Sequence, residues 1–181
     1  MKADISHLDL PIAPGRREEW AALLAEPPPV KPVGDRHKIF IARLGAEWFG
    51  FPPSLLLATQ PDVRPRRLPH RADAIVEGLV NADGRVIVSL SLERVFGVLP
   101  QTSEVDVPRL LVFQSGNWTF AARVRHVLGV VELNFDHLQP LGESASEHLR
   151  RCARGVIVRD GVAVTCLAAD LLVNRLAMAM R

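Results

Sequence analysis

Residues 75–92 read Ile75-Val76-Glu77-Gly78-Leu79-Val80-Asn81-Ala82-Asp83-Gly84-Arg85-Val86-Ile87-Val88-Ser89-Leu90-Ser91-Leu92. Two apolar runs rich in Val, Ile and Leu flank Asp83-Gly84, a pair that two-residue hairpin loops prefer because such turns need positive φ. Past the turn, Val86, Val88, Leu90 and Leu92 fall on one face, with Arg85, Ser89 and Ser91 on the other. That alternation predicts a half-buried strand, and Ile87 is its one break.

The same pattern returns later in the chain. Gly155 precedes Gly161 by six residues, as Gly78 precedes Gly84, and each second glycine leads into an apolar strand and a leucine-rich segment. Upstream, Ile39-Phe40-Ile41-Ala42-Arg43-Leu44-Gly45 with Trp48 and Phe49 resembles Leu110-Leu111-Val112-Phe113-Gln114-Ser115-Gly116 with Trp118 and Phe120. The offsets (116 − 45 = 71 and 155 − 78 = 77) differ by one short insertion. Two similar β units of about 70 residues follow. Units so small are expected to curl into little barrels, since an open sheet leaves edges and one face uncovered. Each is marginal alone, so the pair should share a core.

Within the second unit, Trp118, Phe120, Ala122 and Val124 alternate with Thr119, Arg123 and Arg125, which predicts the first set inward and two arginines on one exposed face. Residues 169–180 read as a helix through Leu172, Leu176 and Ala179. The proline-rich stretch 1–35 holds one short helical pattern, Trp20, Leu23 and Leu24, and reads as an N-terminal extension.

Composition narrows the function classes. Hydrophobic residues are 48% and charged residues 23% of 181, ordinary for a folded soluble domain. With 22 basic against 20 acidic residues there is no field to gather phosphates. Cys152 and Cys166 are too few for a disulfide framework, which suits a reducing cytoplasm, and no apolar run is long enough for a signal peptide or a membrane span. The histidines at positions 7, 37, 70, 126, 137 and 148 form no metal-ligand spacing. Gly78 and Gly84 flank a hairpin and open no helix, so they are not a phosphate loop. Cys152 sits in no nucleophile motif. The expectation is a protein without catalytic residues, metal or cofactor. One charge concentration, Arg64-Pro65-Arg66-Arg67-Leu68-Pro69-His70-Arg71, leaves an alternative: a β-barrel binding single-stranded nucleic acid through loop 64–71.

The stretches Leu68-Pro69-His70-Arg71, 75–88 and Ser91-Leu92-Glu93-Arg94-Val95-Phe96-Gly97 together resemble the CheW domain. Its centre has a Gly-hydrophobic-hydrophobic-Asn-x-Arg-Gly turn, a strand and a Leu-x-Arg ending. Val124 to Leu133, Arg154-Gly155, Asp160-Gly161 and Asp170-Leu171-Leu172 are similar to its second half. Within the family, the Leu-Pro-His-Arg run, Ser91 and the extension with Glu19-Trp20 look most like the WspD-type couplers of a surface-sensing system.

The resemblance implies a mainly β fold of two small five-stranded β-barrel-like subdomains sharing a core, with a C-terminal helix. The domain would span 36–181 as two intertwined β subdomains, roughly 36–100 and 108–175. It implies a cytoplasmic adaptor, recruited to membrane receptor arrays, that couples the signalling tip of a methyl-accepting chemoreceptor to the regulatory domain of a CheA-type histidine kinase. The partner-binding residues it implies are Ala58, Gly78, Asn81, Asp83, Gly84, Arg85 and Arg125. Three depart from the family pattern: Asp83 replaces an arginine, Arg125 an aspartate, and Ala58 a glutamate. Either the partner differs in charge at these points, or the residues are simply solvated.

Overall fold

The computed structural model describes residues 34–68, 75–103, 105–143 and 145–179. The helix expected around Trp20, nearly all of the 1–35 extension, and Pro69, His70 and Arg71 of the basic loop lie outside the described residues.

Ten strands carry the described fold. The first half holds β1 (Arg36–Leu44), β2 (Glu47–Phe51), β3 (Leu56–Pro61), β4 (Val76–Ala82) and β5 (Arg85–Leu90), closed by a one-turn helix α1 (Leu92–Phe96). The second holds β6 (Arg109–Ser115), β7 (Trp118–Val124), β8 (His126–Asn134), β9 (Ala153–Arg159) and β10 (Val162–Leu167). A one-turn helix α2 (Glu147–Arg150) precedes β9, and α3 (Ala169–Ala179) follows β10. The fold is mainly β, with two five-stranded sheets ordered β8-β1-β2-β10-β9 and β3-β6-β7-β5-β4.

That order shows how the two halves interleave. Segments 36–100 and 108–175 are not one sheet each: either half gives two strands to one sheet and three to the other. Parallel pairing is the cause, since β2 lies beside β10 (Phe49 against Thr165) and β5 beside β7 (Ser89 against Ala121). The hairpins β1–β2 and β6–β7 are therefore completed by strands of the opposite half. A two-stranded hairpin alone is marginal in water, so neither half holds its hairpin without the other.

Each sheet curls without closing into a barrel. Arg66, five residues after β3 ends, pairs with Leu79 on β4, the opposite edge of its sheet. Five residues reach about 17 Å, whereas a flat sheet would put that point more than about 19 Å away. The sheet must bend round to meet it, and one isolated bridge holds the curl short of a closed barrel. Gln139, after β8, meets Val156 on β9 in the same way.

The backbone repeats in detail. Asp83-Gly84 and Asp160-Gly161 both take φ near 50° and then near 80° (49°, 79° and 51°, 78°), the tight hairpin turn expected of the pair. The first bulges leave Leu57 and Leu128 unpaired, 54% and 57% exposed, and the second leave Glu77 and Arg154 unpaired.

Three apolar clusters fill the molecule. The largest lies between the sheets, joining Phe40, Leu44, Phe49 and Phe51 of one to Leu90, Leu111, Phe113 and Phe120 of the other. Phe51 meets Phe113 across the gap with ring centroids 5.5 Å apart. Helices seal it with Leu92, Phe96, Leu149, Leu172 and Leu176. Inside the two curls lie Ile39, Ile41, Leu133, Ile157, Val164 and Cys166, and Val80, Leu110 and Ala121 with Ile87 against them. Ile87 breaks the alternation because its strand is apolar on both sides. Val86 and Trp118 correct the expectation: they share a face with Val88 and Phe120, but stand past the edge of the shared core, 69% and 57% exposed.

The short helix α1 was not read from sequence, because five residues are too few for periodicity. Ser91 caps it, accepting from the Arg94 N–H at 3.4 Å, and Gly97 ends it at φ 72°.

The two glycine types should differ in cost. A Cβ at Gly84 or Gly161 would meet nothing, whereas at Gly78 and Gly155 it would come within 2.2 Å of the Arg66 carbonyl oxygen and 2.4 Å of the Gln139 carbonyl oxygen. Gly84→Ala or Gly161→Ala is expected to cost about 1 kcal/mol, from backbone strain alone. Gly78→Ala or Gly155→Ala should cost roughly 3 kcal/mol or more, because the closing bridge must also move. Urea denaturation of the four variants checks this; equal losses would show that the bridges do not hold the curls.

Candidate partner-binding surface

At one end of the sheet β3-β6-β7-β5-β4 the strands and the Asp83-Gly84 turn frame a cavity of about 410 Å3. Ala58 enters it from β3, where it pairs with Val112, and Asp83 and Arg85 enter from the turn. Leu57, unpaired at its bulge, lies at the rim. On the other face of the same end, Asn81 pairs with Val86, and two residues before the Val88–Phe120 pair β7 begins with Trp118. An exposed row, Asn81, Val86 and Trp118, thus crosses three strands. Of the seven residues implied by resemblance, Ala58, Asn81, Asp83, Gly84 and Arg85 come together at this end.

Gly78 and Arg125 do not. Gly78 is buried where the Arg66 segment crosses β4, with the Leu79 N–H donating to the Arg66 carbonyl at 2.9 Å. It is glycine to admit that crossing. Arg125 lies past the far end of β7, where its Nε donates to Glu93 Oε1 at 3.0 Å. The same oxygen accepts the Gly45 N–H at 3.3 Å, which ties α1 to the β1–β2 turn. The reversed charge of Arg125 is half-buried and paired within the chain.

The exposed arginine face expected at Arg123 and Arg125 is corrected too. Arg123 makes a two-pronged pair with Asp62, both N–O distances 2.6 Å. The Arg123 hydrogen bonds hold the Asp62 carboxyl below its usual range, against the opposing effect of burial. Ser89, fully buried, donates to Glu77 at 3.0 Å.

The thiols offer no chemistry. Cys152 and Cys166 are fully buried, and burial raises both, Cys166 to about 11, so they stay protonated and out of reach. In the basic loop Arg64, Arg66 and Arg67 are exposed, but Arg66 is committed through its backbone to closing the sheet. Trp118 is the single exposed large aromatic among the described residues, short of the successive platforms on which single strands stack.

Sequence reasoning missed Trp118, Val86 and Leu57. Their signal was position: all three sit at strand ends beside turns or bulges, where a face can outrun the core beneath it.

The family model for the CheW-like domain matches residues 38–177. Among solved structures, the scaffolding protein TtCheW from Thermoanaerobacter tengcongensis has a similar fold, with TM-score 0.61 at 17% identity, over 79% of this chain and 90% of that one. A search of curated proteins found no match.

Asp62 carries a pH dependence. Its folded-state pKa is depressed, so its pair with Arg123 stabilises above the unfolded value, about 3.9, and the contribution is lost as pH falls through the folded value. Asp62→Asn is expected to cost roughly 1 kcal/mol at pH 7, shrinking toward nothing in acid below about pH 4. Melting of both proteins from pH 7 to 3 measures it, and a difference unchanged with pH would remove the ionic account.

Proposed function

Because the chain belongs to the CheW-like domain family, we propose that it is a coupling adaptor, binding a chemoreceptor's signalling tip and a CheA-type kinase's regulatory domain without turnover. The family match across 38–177, most of the chain, carries this reading. The surface supports it. Coupling needs two faces that can be occupied at once, and each sheet presents its own exposed apolar residues: Leu57, Val86 and Trp118 on one, Leu128 and Val130 on β8 of the other. Exposed apolar residues grouped at an element's end are a mark of protein contact.

No helix among the described residues is long and apolar enough to cross a membrane, so a place at receptor arrays would come through the receptor. The WspD-type assignment rests on Leu-Pro-His-Arg, Ser91 and Glu19-Trp20. Ser91 weighs least of these, because capping α1 already accounts for it.

Co-purification of the chain with a CheA-type regulatory domain and, separately, with a receptor tip tests the function; capture of neither would sink it. The surface has its own test. Trp118→Ala is expected to weaken one of the two complexes by about 2 kcal/mol, roughly 30-fold, with melting unchanged. Asp83 sits at φ 49°, which asparagine tolerates and arginine resists, so Asp83→Asn is the variant that removes charge and keeps the turn. Being exposed, Asp83 should contribute under about 1 kcal/mol. Full affinity of Trp118→Ala for both partners would move the surface elsewhere.

A further inference from the structure

The duplication places a second cavity, of about 450 Å3, at one end of the sheet β8-β1-β2-β10-β9. Its walls come from β1, the Pro52-Pro53-Ser54 turn, Phe135, the bulged Arg154 and the start of α3. By the offsets of 71 and 77 (116 − 45 and 155 − 78), its counterpart in the other sheet is the pocket lined by Glu77, Glu93, Arg123 and Arg125. That pocket is closed to about 30 Å3, and its arginines are neutralised within the chain by Asp62 and Glu93.

In the open cavity the same positions carry different chemistry. Pro52 and Ser54 stand where Arg123 and Arg125 stand, which removes the side chains that fill the other pocket. Arg154 takes the place of Glu77, so the bulge delivers a cation instead of an anion. Its guanidinium lies over the Phe135 ring, 5.9 Å from the centroid, and His37 packs on the same ring at 4.4 Å. Among the described residues Arg154 and Lys38 have no ion-pair partner, and His37 is bonded to Asp35 at 2.8 Å. Asp170 is the one carboxylate on the wall.

We infer that this cavity receives an acidic segment of a partner protein, with a Glu or Asp side chain against Arg154 and Lys38. Charge complementarity selects the anion, since a guanidinium held on an aromatic face keeps its in-plane donors for a carboxylate. The apolar walls, Ile39, Leu167 and the two prolines, suit the aliphatic part of a peptide better than a bare inorganic ion. The volume falls in the range of ligand pockets, about 300–1,000 Å3. The site is separate from the Asp83–Trp118 end, and its test needs neither receptor nor kinase.

The probe is a blocked Ala-Glu-Glu-Ala peptide titrated into the full chain by amide NMR, with Ala-Lys-Lys-Ala and inorganic phosphate as the other arms. Shifts at residues 37–39, 52–54, 135, 154 and 169–170 are expected with the acidic peptide and not with the basic one. Arg154→Glu should weaken the acidic peptide at least tenfold with melting unchanged, and Arg154→Lys should keep most of the affinity; Lys38→Glu serves if the first variant fails to fold. Equal shifts with the basic peptide, shifts elsewhere, full affinity in Arg154→Glu or Lys38→Glu, or phosphate binding as tightly as the peptide would each overturn the proposal.

Discussion

Everything in the fold depends on one constraint: the apolar faces of two five-stranded sheets are closed against each other, and neither sheet can be assembled from one half of the chain. Phe49 and Phe51 of β2 are held in place partly by β10, more than a hundred residues on. Phe120 of β7 leans on β5 from the first half. The ring pair Phe51–Phe113 then locks the sheets face to face. Packing of this density leaves no cheap way to separate the halves, because opening either sheet would expose both the shared core and a hairpin that is marginal by itself.

The two halves have kept backbone devices and exchanged side chains. Asp-Gly turns, bulges and close-approach glycines recur at matching positions, since these set the curl and cannot change without moving whole strands. What differs lies at the ends of the curls. Trp118 has Glu47 as its counterpart, Glu77 has Arg154, and Arg125 has Ser54. These residues lie outside the apolar core, so the ends are where two copies of one frame can acquire different partners.

Much of the fold was legible in sequence because its signals are local. Asp83-Gly84 and Asp160-Gly161 announce their turns, alternation marks strands such as β5, and apolar spacing marks α3. Strand exchange was not legible, since nothing in residues 47–51 says that 162–167 will lie beside them. The sheets' curl was inferred, yet closure by Arg66 and Gln139 depends on unremarkable loop residues whose backbone alone takes part. The candidate surface was half-legible: the motif named Asp83 and Arg85, which the fold places at one sheet end, but not Trp118 beside them, whose alternation matches that of the buried Phe120. Alternation reports a face, and exposure depends also on how far the opposing layer extends.

Arg125 shows the same limit for charge. Against the motif it is a reversal that invites a partner of reversed charge. In the structure its partner is Glu93, 32 residues away, and that carboxylate also holds the Gly45 N–H. The reversal is thus compensated internally and needs no outside acid. Arg154 is the opposite case: the motif that includes Arg154-Gly155 gave it no binding role, yet no carboxylate among the described residues pairs with it. A charge points outward only when the fold leaves it without an answer, and that is decided by the bulge that aims Arg154 and by Pro52 and Ser54, whose short side chains leave the space before it open.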